Sequence, residues 1–130
     1  MANSLKELSF LERIAPITGA LSEEQQTTAL MMLGQGQDWK SSWLAYALAT
    51  AWYEHTFTSE PCEGLLEAME AGSFTGKKLG QYLVAEQGDP QSFFWCRKII
   101  GGLEGSEEVV ALAASFQEVL LYLKSREAIN

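Results

Sequence analysis

The chain reads as an all-α protein, and three observations carry that reading. Helix-capping patterns recur along it, apolar residues repeat at helical rather than alternating spacing, and strand-forming runs are nearly absent. Ser4 with Glu7 makes a capping box ahead of Leu5, Leu8 and Leu11, and Ser22 with Gln25 repeats it ahead of Ala29, Leu30 and Leu33.

The elements follow in order. Pro16 and Gly19 divide the first helix from the second, and Gly34 to Gly36 close the second ahead of an apolar third, roughly Trp39 to Phe57. A fourth runs from about Glu60 to Ala71. Gly72-Ser73-Phe74-Thr75 is a turn whose Thr75 starts a fifth helix through about Ala85. Asp89-Pro90 places a capping residue and a helix-starting proline before Phe93, Phe94 and Ile99, and Gly101-Gly102 ends that sixth helix. The seventh, capped by Ser106 and running to about Ser125, sets Val109, Leu112, Ala113, Phe116, Leu120 and Leu123 at helical spacing. The expectation is a compact bundle of about seven short helices.

A chain of 130 residues, 47% of them hydrophobic, makes one globular domain over residues 1–130. That length buries roughly two-thirds of the surface its unfolded form exposes. Nine basic against 17 acidic residues give a formal charge of -8, spread over both halves of the chain. A uniformly acidic surface is repelled by nucleic-acid backbone and anionic lipid, so neither is an expected direct partner, whereas a protein with a basic surface is. The amino terminus lacks a basic region followed by an apolar run, and no apolar stretch approaches membrane-spanning length, so the expected compartment is the cytoplasm. Cys62 and Cys96 lie beside apolar or aromatic residues and read as buried thiols.

The run from Trp43 to Tyr53 is almost wholly apolar and ends in Glu54. A helix apolar all round is buried. The carboxylate at its end is therefore either solvated where the helix emerges or held protonated by desolvation, and the second case makes a general acid.

Two other features bear on binding. Glu60, Glu63, Glu67 and Glu70 recur at spacings that place them on one helix face, opposite Leu65, Leu66 and Met69. Such a stripe is ordinarily a solvated face, but it also presents a row of carboxylates to a basic partner. Phe93, Phe94 and Trp95 are consecutive and cannot all face one core, so at least one is exposed or at an interface, which opens homodimerisation through Trp95. His55 is the lone histidine and reads as a partly exposed ring at a helix end. No metal site, nucleotide loop or cofactor motif is legible.

Three stretches, taken in order, resemble phage endolysins of the family-19 chitinase-like, lysozyme-superfamily type. They are Leu44-Ala45-Tyr46-Ala47-Leu48-Ala49-Thr50-Ala51-Trp52-Tyr53-Glu54, Gly72-Ser73-Phe74-Thr75-Gly76-Lys77-Lys78-Leu79 and Arg97-Lys98-Ile99-Ile100-Gly101-Gly102. The middle one is the most specific, and Leu21 to Gln25 is similar to the family's opening helix. The resemblance implies a lysozyme-like helical lobe and places Glu54 at the family's general acid. It also marks departures. Tyr53 and His55 replace a histidine and a threonine, Gly101 replaces an asparagine, and Trp95 replaces a polar group. Only about 17 residues separate Glu54 from the turn that begins at Gly72, where the family carries a long segment that builds the second lobe of its substrate groove.

Glycoside hydrolysis needs two carboxylates roughly 5 to 10 Å apart across a groove that holds the sugar. Glu63 is the candidate second carboxylate, but the opposite wall is missing. The leading expectation is thus a catalytically degenerate, protein-binding relative of phage or prophage origin, an acidic inhibitor of a basic or nucleic-acid-binding host factor. Its binding residues would be Glu60, Glu63, Glu67, Glu70 and Trp95. The alternative is a minimal peptidoglycan hydrolase with Glu54 as acid.

Overall fold

Helix-start chemistry and buried apolar faces determine the architecture seen in a computed structural model, which describes residues 4–58, 62, 64–73, 75–97 and 105–129. Six α-helices are described: α1 Leu5–Thr18, α2 Glu23–Gln35, α3 Ser41–His55, α4 Leu65–Ala71, α5 Pro90–Cys96 and α6 Ser106–Ile129. No strand occurs among the described residues.

Both capping boxes form. The Ser4 hydroxyl accepts from Glu7 N–H at 3.1 Å while Ser4 N–H donates to Glu7 Oε1 at 2.9 Å. Ser22 and Gln25 do the same at 3.2 and 2.8 Å. Asp89 caps α5 by accepting from Ser92 N–H at 2.7 Å, with Pro90 as the first helical residue. Pro16 does not end α1, which continues to Thr18 and stops at Gly19, φ 76°.

The central helix is α3. Leu44 to Ala51 are all buried along it, as an all-round apolar sequence requires, and its main packing partner is α6. Leu48 of α3 and Ala113, Phe116 and Leu120 of α6 are buried in the same core, each large apolar side chain contributing about 1.5–3 kcal/mol by leaving water. Helices α1 and α5 pack on other faces of α6, and the Arg13 guanidinium sits 3.5 Å from the centre of the Tyr122 ring where α1 meets α6. Helix α6, at 24 residues, is longer than the short helices expected.

Two expectations on the chain between α3 and α5 fail. The continuous fourth helix from about Glu60 is broken at Gly64, whose φ of 79° is left-handed, and the described helix starts only at Leu65. The fifth helix, from Thr75 through about Ala85, does not form. Only a single 3-10 turn, Leu79–Gln81, is present. Thr75 spends its hydroxyl on Lys77 N–H in a local turn at 3.3 Å, and Gly76 adopts φ 84°. Leu79 and Leu83 are buried at helical spacing, but the backbone that carries Leu83 is loop.

At the other end of α3 the chain reverses through Thr56 and Phe57, both with positive φ, 46° and 58°. Neither is glycine, and each carries strain of about 1–2 kcal/mol. Phe57 is held there by complete burial, its ring 5.3 Å from Trp52 and 6.2 Å from Phe116.

Candidate functional site

Glu54 lies in the last turn of α3 and is tied to the next layer of the fold. Its Oε1 accepts a hydrogen bond from Arg97 Nη2 at 2.6 Å. The side chain of Arg97 is 5% exposed and that of Glu54 is 32% exposed, so the carboxylate sits at the rim of the protein and covers a buried guanidinium. Arg97 follows the last residue of α5, and the pair thus joins the end of α3 to the end of α5. The guanidinium also lies 5.6 Å from the centre of the Tyr53 ring.

Burial alone would lower the proton affinity of Arg97. The hydrogen bond and charge of Glu54, with the Tyr46 oxygen, outweigh it and hold the group above its ordinary value. Tyr46 is fully buried and donates its hydroxyl to the Cys96 carbonyl at 2.9 Å. Its phenol is pushed up to about 12, chiefly by burial. Tyr46, Cys96, Arg97 and Glu54 therefore form one connected layer. Tyr53 is 39% exposed, and its hydroxyl occupies the space where a Cβ on Gly105 would stand, at 2.3 Å.

The other predicted residues fall elsewhere. Glu67 and Glu70 lie exposed on α4, where with Gln35, Trp39, Gly64 and Leu66 they line a pocket of about 330 Å³. Trp39 is half-buried, and its ring meets Trp43 edge-on at 5.5 Å. Glu60 and Glu63 lie outside the described residues, as do Phe74 and the Gly101-Gly102 turn. The three consecutive aromatics divide as their spacing demands: Phe93 is buried, Phe94 half-buried and Trp95 39% exposed. His55 is the half-buried last residue of α3. Cys62 and Cys96 are free and buried.

Sequence reasoning missed Arg97 as the partner of Glu54 and Trp39 as the companion of Glu67 and Glu70. The first had a usable signal. Arg97 follows Phe93-Phe94-Trp95-Cys96 as Glu54 follows its own apolar run, and two opposite charges each stranded beside buried segments satisfy one another. The second had none, because Trp39 and α4 are brought together only by the tertiary fold.

Among the described residues, no group of three or more His, Cys, Asp or Glu side chains is placed to hold a metal ion, and no helix is long and apolar enough to cross a membrane. No family model, curated protein or solved structure matches the chain.

Proposed function

We propose that this chain is a non-catalytic protein-binding module, a lysozyme-like domain of phage or prophage descent that has lost its substrate cleft. Its partner is a protein with a basic surface, in the specific form of a nucleic-acid-binding host factor that it inhibits in the cytoplasm. The observation that carries the reading is the Glu54–Arg97 pair. A general acid must be free to move its proton onto a leaving group, whereas Glu54 spends an oxygen on a buried arginine at 2.6 Å. Withdrawing it would take from that guanidinium the carboxylate it donates to. The formal charge of -8 and the exposed carboxylates on α4 supply the attraction for a basic partner.

The competing reading is peptidoglycan hydrolysis with Glu54 as acid. The experiment that separates them is a lysis assay on intact cell wall and on chitin oligomers beside an affinity capture from the source cell. The module reading expects no turnover that Glu54→Gln reduces, together with capture of a basic protein that high salt releases. A tenfold or larger loss of lytic rate on Glu54→Gln, about 1.4 kcal/mol of barrier, overturns it.

A further inference from the structure

The pocket beside α4 has a composition that selects a particular kind of side chain. Its volume of about 330 Å³ is at the low end for ligand clefts, about 300–1,000 Å³, and suits the tip of one long side chain. Two carboxylates, Glu67 and Glu70, stand one helical turn apart on its rim, and neither makes an ion pair among the described residues. The other side is Trp39, which is held in place rather than loose. Its backbone N–H donates to the Gly36 carbonyl at 3.0 Å, its backbone carbonyl accepts from Lys124 Nζ at 3.3 Å, and the indole itself meets Trp43 edge-on. The neighbouring cation, Lys40, is directed to the Trp43 ring, 5.2 Å from its centre. The pocket therefore combines an indole packed on Trp43 with two negative charges that have no ion-pair partner among the described residues.

We propose that this pocket seats an arginine side chain of a basic protein segment, with the guanidinium lying against Trp39 and donating to Glu67 and Glu70. A guanidinium is planar, stacks on aromatic rings, donates in a fork to carboxylates and is more weakly hydrated than an ammonium, so arginine is preferred to lysine. The inference rests on the protein-binding reading above and names the anchor that reading lacks. It also moves the specific contact away from the whole acidic stripe to two of its carboxylates and a tryptophan outside the stripe.

The test titrates the full chain with an oligoarginine peptide and an oligolysine peptide of equal length at low and high salt, read by calorimetry and tryptophan fluorescence. Oligoarginine binds about fivefold or more tightly than oligolysine. The pair Glu67→Gln with Glu70→Gln weakens oligoarginine by about tenfold or more, and Trp39→Leu does so too. Because Trp39 also packs on the core, the carboxylate pair decides the question if Trp39→Leu fails to fold. The control is Glu107→Gln with Glu108→Gln, exposed in the first turn of α6, which makes the same charge change at another place. If this control weakens binding as much as the α4 pair, or the α4 pair has no effect, the pocket is not the anchor, while the protein-binding reading survives. If neither peptide binds at low salt, both fail.

Discussion

Glu86 caps helix α3 from 45 residues away: its Oε1 accepts from Ser41 N–H at 3.0 Å and from the Ser41 hydroxyl at 2.7 Å. Helix α3 has no local substitute, because its N-cap position is Lys40, which makes no side-chain capping bond. The loop carrying Glu86 is fastened to the same helix end by Ser42 N–H to the Glu86 carbonyl, the Ser42 hydroxyl to the Ala85 carbonyl and Trp43 Nε1 to the Leu83 carbonyl, at 2.9, 2.7 and 2.6 Å. Lys124 of α6 completes the group by pairing with the Glu86 carboxylate. A segment that failed to become a helix is thus ordered by serving as the cap of another.

Replacing that cap should cost stability without changing the fold. Glu86→Ala is expected to lower the unfolding free energy by about 1 kcal/mol, the ordinary value of a lost N-cap. The Lys124 pair adds little, since both side chains are nearly half exposed. Urea denaturation followed by circular dichroism measures it, and an unchanged midpoint would show that Ser41 finds another acceptor.

The same contact gives a pH dependence with a definite sign. Partial burial raises the Glu86 carboxyl, but hydrogen bonds from Lys124 and Ser41 outweigh it and hold the group below its ordinary 4.5. A carboxylate depressed in the folded state contributes stability that is fully present above its unfolded value and is lost as pH falls through the folded one. The stability gap between wild type and Glu86→Gln should therefore be constant above about pH 5 and close at lower pH. Asp89, lowered by the Ser92 backbone hydrogen bond, shifts acid stability in the same direction.

What the sequence disclosed and what it hid divide along the range of the interactions. Ser4 with Glu7, Ser22 with Gln25 and Asp89 with Pro90 are local chemistry, each decided within three residues, and each forms where expected. The burial of α3 was legible because it is apolar on every face. Glu86 on Ser41, Arg97 on Glu54 and Trp39 beside Glu67 span long stretches of chain, and no spacing rule reports such meetings. The failed helix after Thr75 has the same cause in reverse. Leu79 and Leu83 satisfy a helical pattern, but Trp43, Ser41 and Ser42 take up the polar groups of residues 83–86 and make the loop the better solution.

Gln117 and Gly88 provide a second long-range clamp. The Gln117 amide accepts from Gly88 N–H at 2.7 Å and donates to the Gly88 carbonyl at 3.1 Å, using both of its ends on one residue. Gly88 is also pressed against the core, since a Cβ there would lie 2.7 Å from Phe93 Cζ and 3.1 Å from Leu83 Cδ2. Gly88→Ala is expected to cost about 1–3 kcal/mol through overpacking, and Gln117→Ala about 1–2 kcal/mol through two backbone groups left without that partner. Thermal unfolding of the two single variants checks both, and equal melting temperatures for all three proteins would exclude the clamp.

The thiols should be silent in the folded protein. Burial pushes Cys62 up to about 11 and Cys96 higher still, and both side chains are 0% exposed. The thiolate is the reactive form. A disulfide reagent at neutral pH should therefore titrate almost nothing in the native state and two thiols in urea, with modification following the rate of opening. Rapid labelling of Cys96 in the native protein would contradict the packing of α5 against α6, and rapid labelling of Cys62 would contradict its complete burial.

The last prediction concerns Glu54 as a structural residue. Breaking a buried ion pair by removing one partner costs about 3–5 kcal/mol when both charges are buried. Here the carboxylate keeps contact with water, so Glu54→Ala is expected to cost less, about 1–2 kcal/mol, with Glu54→Gln milder because its amide oxygen still accepts from Arg97. Arg97→Met alone should cost little more than Glu54→Ala, because an apolar chain of similar length fills the space under Tyr53 and leaves Glu54 to the solvent. The double variant should lose less than the sum of the two, by about 1 kcal/mol or more, which is the coupling energy of the pair. Additive losses in that cycle would mean that the 2.6 Å contact contributes nothing to stability. Glu54 would then have no structural reason to be held there, and the hydrolytic reading would gain the ground that the protein-binding reading lost.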